Sequence, residues 1–160
     1  MLNRLIQNIG RVSSWLTVVM IVVLFSIVIL RYVFNVGWIA MQESVLWLHA
    51  MVFLLAASWT LQADKHVRVD VFYRQFSAKK KALVNLIGHM LFLLPVAGYM
   101  LYSSLPYVSR SWKIAEKSVE AGGLPAIYIL KTLIPVAAVL LLVQGLVLVY
   151  SSIRKLKGLN

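Results

Sequence analysis

Four apolar blocks separated by short polar stretches set the pattern of this chain. The first, Val12 to Leu30, is nineteen residues without a charge. The second runs from Ser44 to Leu61, with His49 its sole ionisable residue. The third, from about Ala82 to Tyr102, contains His89, Pro95 and Gly98, and the last, from about Ala126 to Tyr150, contains Lys131 and Pro135. Each approaches the roughly 20 residues that an α-helix needs to cross a bilayer. The pattern predicts an all-α integral membrane protein of one domain, with spans at about 12–33, 43–62, 82–103 and 126–150. The first block is too long for a secretory signal core and leads into Arg31-Tyr32-Val33-Phe34, so a retained span is expected. Ahead of it, Leu2, Leu5, Ile6 and Ile9 with Arg4 and Arg11 predict a short amphipathic lead-in at the interface.

Between spans two and three, Val67, Val69 and Val71 alternate as in a strand. A lone strand at a membrane surface would leave its backbone groups unpaired, so a short interfacial amphipathic helix over His66 to Phe76 is expected instead. Pro95 removes a backbone hydrogen bond and predicts a bend in span three. Ser103 to Pro125 reads as a polar connector with room for a short helix.

Composition confirms the class. The chain is 61% hydrophobic and 13% charged, against about 45 to 50% and 25% in soluble domains. A net charge of +11 would suit nucleic acid, but the basic residues flank apolar blocks as membrane-helix ends do, so nucleic acid is not an expected partner. With no cysteine, disulfides and thiolate chemistry are excluded. The basic residues also orient the chain. With the N-terminus inside, 11 face the cytoplasm (Arg4, Arg11, Lys65, Arg68, Arg74, Lys79, Lys80, Lys81, Arg154, Lys155, Lys157) and 5 lie outside (Arg31, Arg110, Lys113, Lys117, Lys131). The positive-inside bias then predicts that both termini are cytoplasmic.

Candidate chemistry is sparse. An ionisable residue inside a span is a functional candidate, because it costs at least about 2.5 kcal/mol to insert Asp, Lys or Arg at mid-membrane. Here Arg31, Glu43 and Lys131 sit near the outer ends of their spans, where each either snorkels to water or forms part of a structural pair of Glu43 with Arg31 or Lys131. His49 and His89 could in principle ligate one haem. They differ in depth by roughly 10 Å at 1.5 Å per residue, too far for two axial ligands of one iron. No metal-ligand cluster, phosphate loop or nucleophile-base pair is present, so neither a cofactor nor an enzymatic activity is expected. Asp64, His66, Arg68 and Asp70 are either a solvated loop or a docking surface, since interleaved signs suit pairing with another chain. The plain run Lys79-Lys80-Lys81 suits anionic membrane lipid. Trp38 and Trp112 fit interfacial anchors, while Trp15, Trp47 and Trp59 fit either packing or interfacial anchoring.

The run Arg31-Tyr-Val-Phe-Asn35, then Trp38 and Glu43, then Lys65-His66-Val67-Arg68-Val69-Asp70, resembles the small membrane subunit of tripartite ATP-independent periplasmic (TRAP) transporters, the DctQ-like family. Gly122-Gly123-Leu124-Pro125 followed by Ile134-Pro135-Val136 is similar to that family's C-terminal half, although Lys131 departs from it. The resemblance implies an accessory subunit of a secondary transporter in the bacterial inner membrane. It also implies two partners, a large membrane subunit and a soluble periplasmic substrate-binding protein, and a substrate that is an organic anion of the C4-dicarboxylate or sialic-acid type, driven by a sodium gradient. Two other readings remain open from the residues. A membrane anchor of a haem or quinone enzyme would show a visible absorption spectrum, and a small multidrug efflux pump would be expected to carry an acid inside a span.

Overall fold

The computed structural model describes residues 2–65, 73 and 75–158. Among these there are helices and connectors but no strand. Helix α1 spans Leu2–Tyr32 and α2 spans Ile39–Gln62. The third span is a rod made of α3 (Ala78–Gly88), a single π-helical stretch (His89–Leu93) and α4 (Leu94–Lys113), and α5 covers Ile127–Leu156. Four helices are therefore long and apolar enough to cross a membrane. The helix expected at His66 to Phe76 lies largely outside the described residues.

All four helices exceed their sequence-based bounds, and the two largest extensions, in α1 and the third span, have physical reasons. The lead-in of α1 is continuous with the span, with Ile6 and Ser13 buried and Gly10 tight against α2. A Cβ at Gly10 would come within 2.3 Å of the Trp59 ring, so only glycine lets that indole lie on the α1 backbone. The third span continues through Ser103–Lys113, read above as connector, and the whole rod is 36 residues long. At 1.5 Å per residue it reaches about 54 Å, well beyond a hydrocarbon core of about 30 Å.

The π stretch accounts for how the rod accommodates Pro95. The Leu94 amide donates to the His89 carbonyl five residues back. That widened turn lies where the proline ring would otherwise crowd the carbonyl four residues before it and leave it unpaired.

The helices pack in the order α1, α2, α5, then the α3–α4 rod. Because lipid tails are as apolar as leucine, close packing rather than hydrophobicity must hold such helices together, and small residues permit it. The buried positions fit: Ala97, Ser104, Val108 and Ser111 recur along one face of α4, and Ala137, Ala138, Gly145 and Ser152 are buried on α5. The serines carry little polar cost, because Ser13, Ser14 and Thr17 of α1 and Thr60 of α2 each donate to a carbonyl four residues back in their own helix. Large apolar side chains such as Trp15, Phe25, Phe53 and Leu91 point outward, as lipid-facing residues do.

This arrangement gives the molecule two ends. One gathers both termini and the connector after α2. The other gathers the connector 33–38 and the connector 114–126.

Candidate functional site

At the end opposite the termini a network of polar side chains joins the helices, and the local backbone there explains why. Helix α4 stops in a Schellman motif: Glu116 N–H donates to the Ser111 carbonyl and Ala115 N–H to that of Trp112, with Ala115 left-handed at φ 46°. The chain then folds back on itself. Ser118 N–H donates to the Leu124 carbonyl, Ile127 N–H to that of Glu116, and Gly123 N–H to that of Glu120. Gly122, at φ 80°, takes the left-handed position of that turn, which favours glycine. Ala126 is also left-handed, at φ 74°, immediately before α5 begins.

Two carboxylates tie this folded loop to the helices. Glu43, in the second turn of α2, accepts from the Ser118 hydroxyl and, at 2.6 Å, from the Leu124 amide. Gly123 makes this possible, since a Cβ there would lie 2.5 Å from Ser118 Oγ and 2.8 Å from Glu43 Oε2. Glu116 accepts from Ser111 at 2.6 Å and pairs with Lys131 at 2.5 Å. Those hydrogen bonds, from Lys131 first and Ser111 second, hold the Glu116 carboxyl below its usual value. The Lys131 ammonium also lies 4.2 Å over the Tyr107 ring, a cation–π contact. Trp112 donates from its indole nitrogen to Thr132 at 2.9 Å and tilts against Tyr128 at 4.5 Å between ring centroids. The far ends of α2, α4 and α5 are thus joined through one loop.

The pairing of Glu43 with Arg31 or Lys131, one of the two readings of these residues, is not the one found. Lys131 is taken by Glu116, which lies closer along the fold, and Glu43 is satisfied by a hydroxyl and an amide of the loop. Arg31 is exposed at the end of α1. Sequence reasoning missed Glu116, Ser111 and Ser118 as partners, although Gly122-Gly123 within the connector was a signal of a tight turn there. Trp38 is exposed just before α2, and Trp112 serves both as an exposed aromatic and as a hydrogen-bond donor.

At the opposite end, α2 closes in a second Schellman motif with Asp64 left-handed at φ 55°. His66, Arg68 and Asp70 lie outside the described residues. Ser77 caps α3, accepting from the Lys80 amide at 3.4 Å, and Lys79, Lys80 and Lys81 occupy the first turn. Lysines in a first turn gain nothing from the helix dipole. Lys81 sits 5.5 Å from the Tyr73 ring, whose hydroxyl bonds Asn85 at 3.2 Å.

The two intramembrane histidines are in different settings. His49 is exposed on α2 and stacks with Phe53 at 6.4 Å, whereas His89 lines a cavity between α2, the third rod and α5. Among the described residues no group of three His, Asp or Glu side chains is placed to hold a metal ion.

The family model for the DctQ component of tripartite ATP-independent periplasmic transporters matches residues 20–155. No curated protein matches the chain. The match runs from within α1 to the last turn of α5 and so includes the tied loop and parts of all four spans; the chain belongs to the DctQ family, the small membrane subunits of TRAP transporters.

Proposed function

We propose that the chain is a non-conducting scaffold subunit that supports a large membrane subunit in sodium-driven import of an organic anion, of the C4-dicarboxylate or sialic-acid class. The observation that carries this is the distribution of charge. Away from the ends of the four spans there are two histidines, His49 and His89, but no Asp, Glu, Lys or Arg of the kind that marks an ion path. Substrate and ion coupling then belong to the partner. The basic residues favour a multi-pass arrangement in the bacterial inner membrane with both termini cytoplasmic, which would turn the tied loop towards the periplasm and a substrate-binding protein. On the cytoplasmic side, the interleaved charges of Asp64, His66, Arg68 and Asp70 suit docking to the large subunit.

Reconstituted vesicles test the proposal. With a sodium gradient, the complete system takes up the anion, omission of this chain abolishes uptake, and this chain alone gives none. Sodium-driven uptake by this chain without a partner overturns the scaffold reading.

A further inference from the structure

The cavity lined by His89 has a volume of about 820 Å³, towards the upper end of the range of about 300–1,000 Å³ that ligand pockets occupy. It opens between α2, the α3–α4 rod and α5 at the end that carries the termini. Its lining changes character with depth. Near the helix ends it presents Lys155, Ser152, Asn85 and Tyr73, and further in it presents Phe92, Val96, Leu141 and Leu148. From Asn85 to Val96 the rod rises about 16 Å, so a polar mouth gives way to an apolar channel over roughly half the hydrocarbon thickness.

We propose that this groove seats one anionic phospholipid of the adjoining leaflet, with its phosphate at Lys155 and its acyl chains against Phe92, Val96, Leu141 and Leu148. Three observations carry it. The first is charge: Lys155 lines the mouth, no acid among the described residues pairs with it, and Lys79, Lys80 and Lys81 begin the neighbouring helix. Asp64, also at this mouth, has a partner of its own. Basic pockets between transmembrane helices on the cytoplasmic side suit anionic headgroups. The second is His89, which lines the groove at the junction of the polar and apolar parts and whose Nδ1 finds no hydrogen-bond partner in the protein. The imidazole gives the wall a hydrogen-bonding group at the depth of a lipid's glycerol esters, where the apolar face of a protein helix would offer it nothing. The third is Gly88, where a Cβ would meet nothing within 4 Å, so the wall stands open at the point where the channel begins. The inference does not rest on the transporter reading.

Native mass spectrometry of the full chain in mild detergent, with added phosphatidylglycerol or phosphatidylcholine of matched acyl chains, tests it. The parent is expected to retain one phosphatidylglycerol per chain, with a preference over phosphatidylcholine of about fivefold or more for one lysine near a phosphate. Lys155→Gln, a change of an exposed residue, keeps lipid retention and brings the preference close to parity. Gly88→Phe fills the channel and abolishes retention of both lipids while the thermal melting temperature is kept or raised. Equal retention of the two lipids by the parent overturns the proposal, and so does parental retention of phosphatidylglycerol by Gly88→Phe. If Gly88→Phe does not fold, the Lys155→Gln preference decides. If Gly88→Phe instead loses a co-purifying membrane protein with its lipid content unchanged, the groove is a protein seam and the proposal fails.

Discussion

Glu116 is held by Lys131 and Ser111, and the bonds that hold it lower its carboxyl pKa in the folded chain. A depressed carboxylate contributes stability above its unfolded value, about 4.3, and that contribution disappears as the pH falls through the lower folded value. The loop end is therefore indifferent to pH between 5 and 8 as far as this group is concerned, and loosens only in stronger acid. Thermal melting of the parent and of Glu116→Gln across a pH series checks this. The difference between them is expected to be constant from about pH 7 to 5 and to vanish as the acid limb is crossed. A difference that instead grows on acidification would mean that another group controls the loop. Glu43 ties the loop without an ion pair: its carboxylate meets the Leu124 amide, which would otherwise be a partly buried donor without a partner. The partners of Glu43 were not legible in the sequence, because Ser118 and Leu124 are 75 and 81 residues from it. Helical spacing predicts neighbours three or four positions apart, and nothing local predicts these.

At the scale of elements, the spans were legible because hydrocarbon leaves the backbone little choice but helix, so apolar length alone identifies them. Where hydropathy falls, that logic stops. Ser103–Lys113 is helical although it carries Arg110 and Lys113, because the Schellman turn at Ala115 and the Trp112 and Ser111 contacts hold its last turns to α5 and the loop. The π stretch before Pro95 was likewise hidden, since a proline announces a missing hydrogen bond but not which turn will widen to absorb it. Packing between α1 and α2 rests on one close approach that is testable. Gly10→Ala puts a methyl 2.3 Å from Trp59 Cδ2 in the present geometry, and the overpacking is expected to cost about 1–3 kcal/mol. A thermal melt in detergent measures it. Trp59→Ala should remove the penalty, so the double variant is expected to melt close to Trp59→Ala alone, as coupled contact pairs do. Full additivity of the two substitutions would place the strain elsewhere.

For the whole molecule, the separation into two ends turns a count of charges into a physical asymmetry. The termini end carries most of the basic residues, whereas the loop end has its Lys131 neutralised by Glu116 and tied down. Transfer of the heavily basic end across a membrane is the costlier insertion, and the connectors are short enough for that bias to decide orientation. The expected arrangement is both termini in the cytoplasm and residues 114–126 outside. Because the chain has no cysteine, single cysteines report against a clean background. The structure also chooses the reporters. Ser118 is unsuitable because its hydroxyl holds Glu43, and Ser152 because it is buried, whereas Val119 is 99% exposed beside the loop and Lys157 is exposed just after α5. Val119→Cys should react with a membrane-impermeant thiol reagent in intact cells, and Lys157→Cys only after the membrane is opened. Labelling of Lys157→Cys in intact cells, with Val119→Cys silent, would invert the molecule. The tied loop would then face the cytoplasm and could not meet a periplasmic protein, while the lysine-lined groove would open to the outer leaflet.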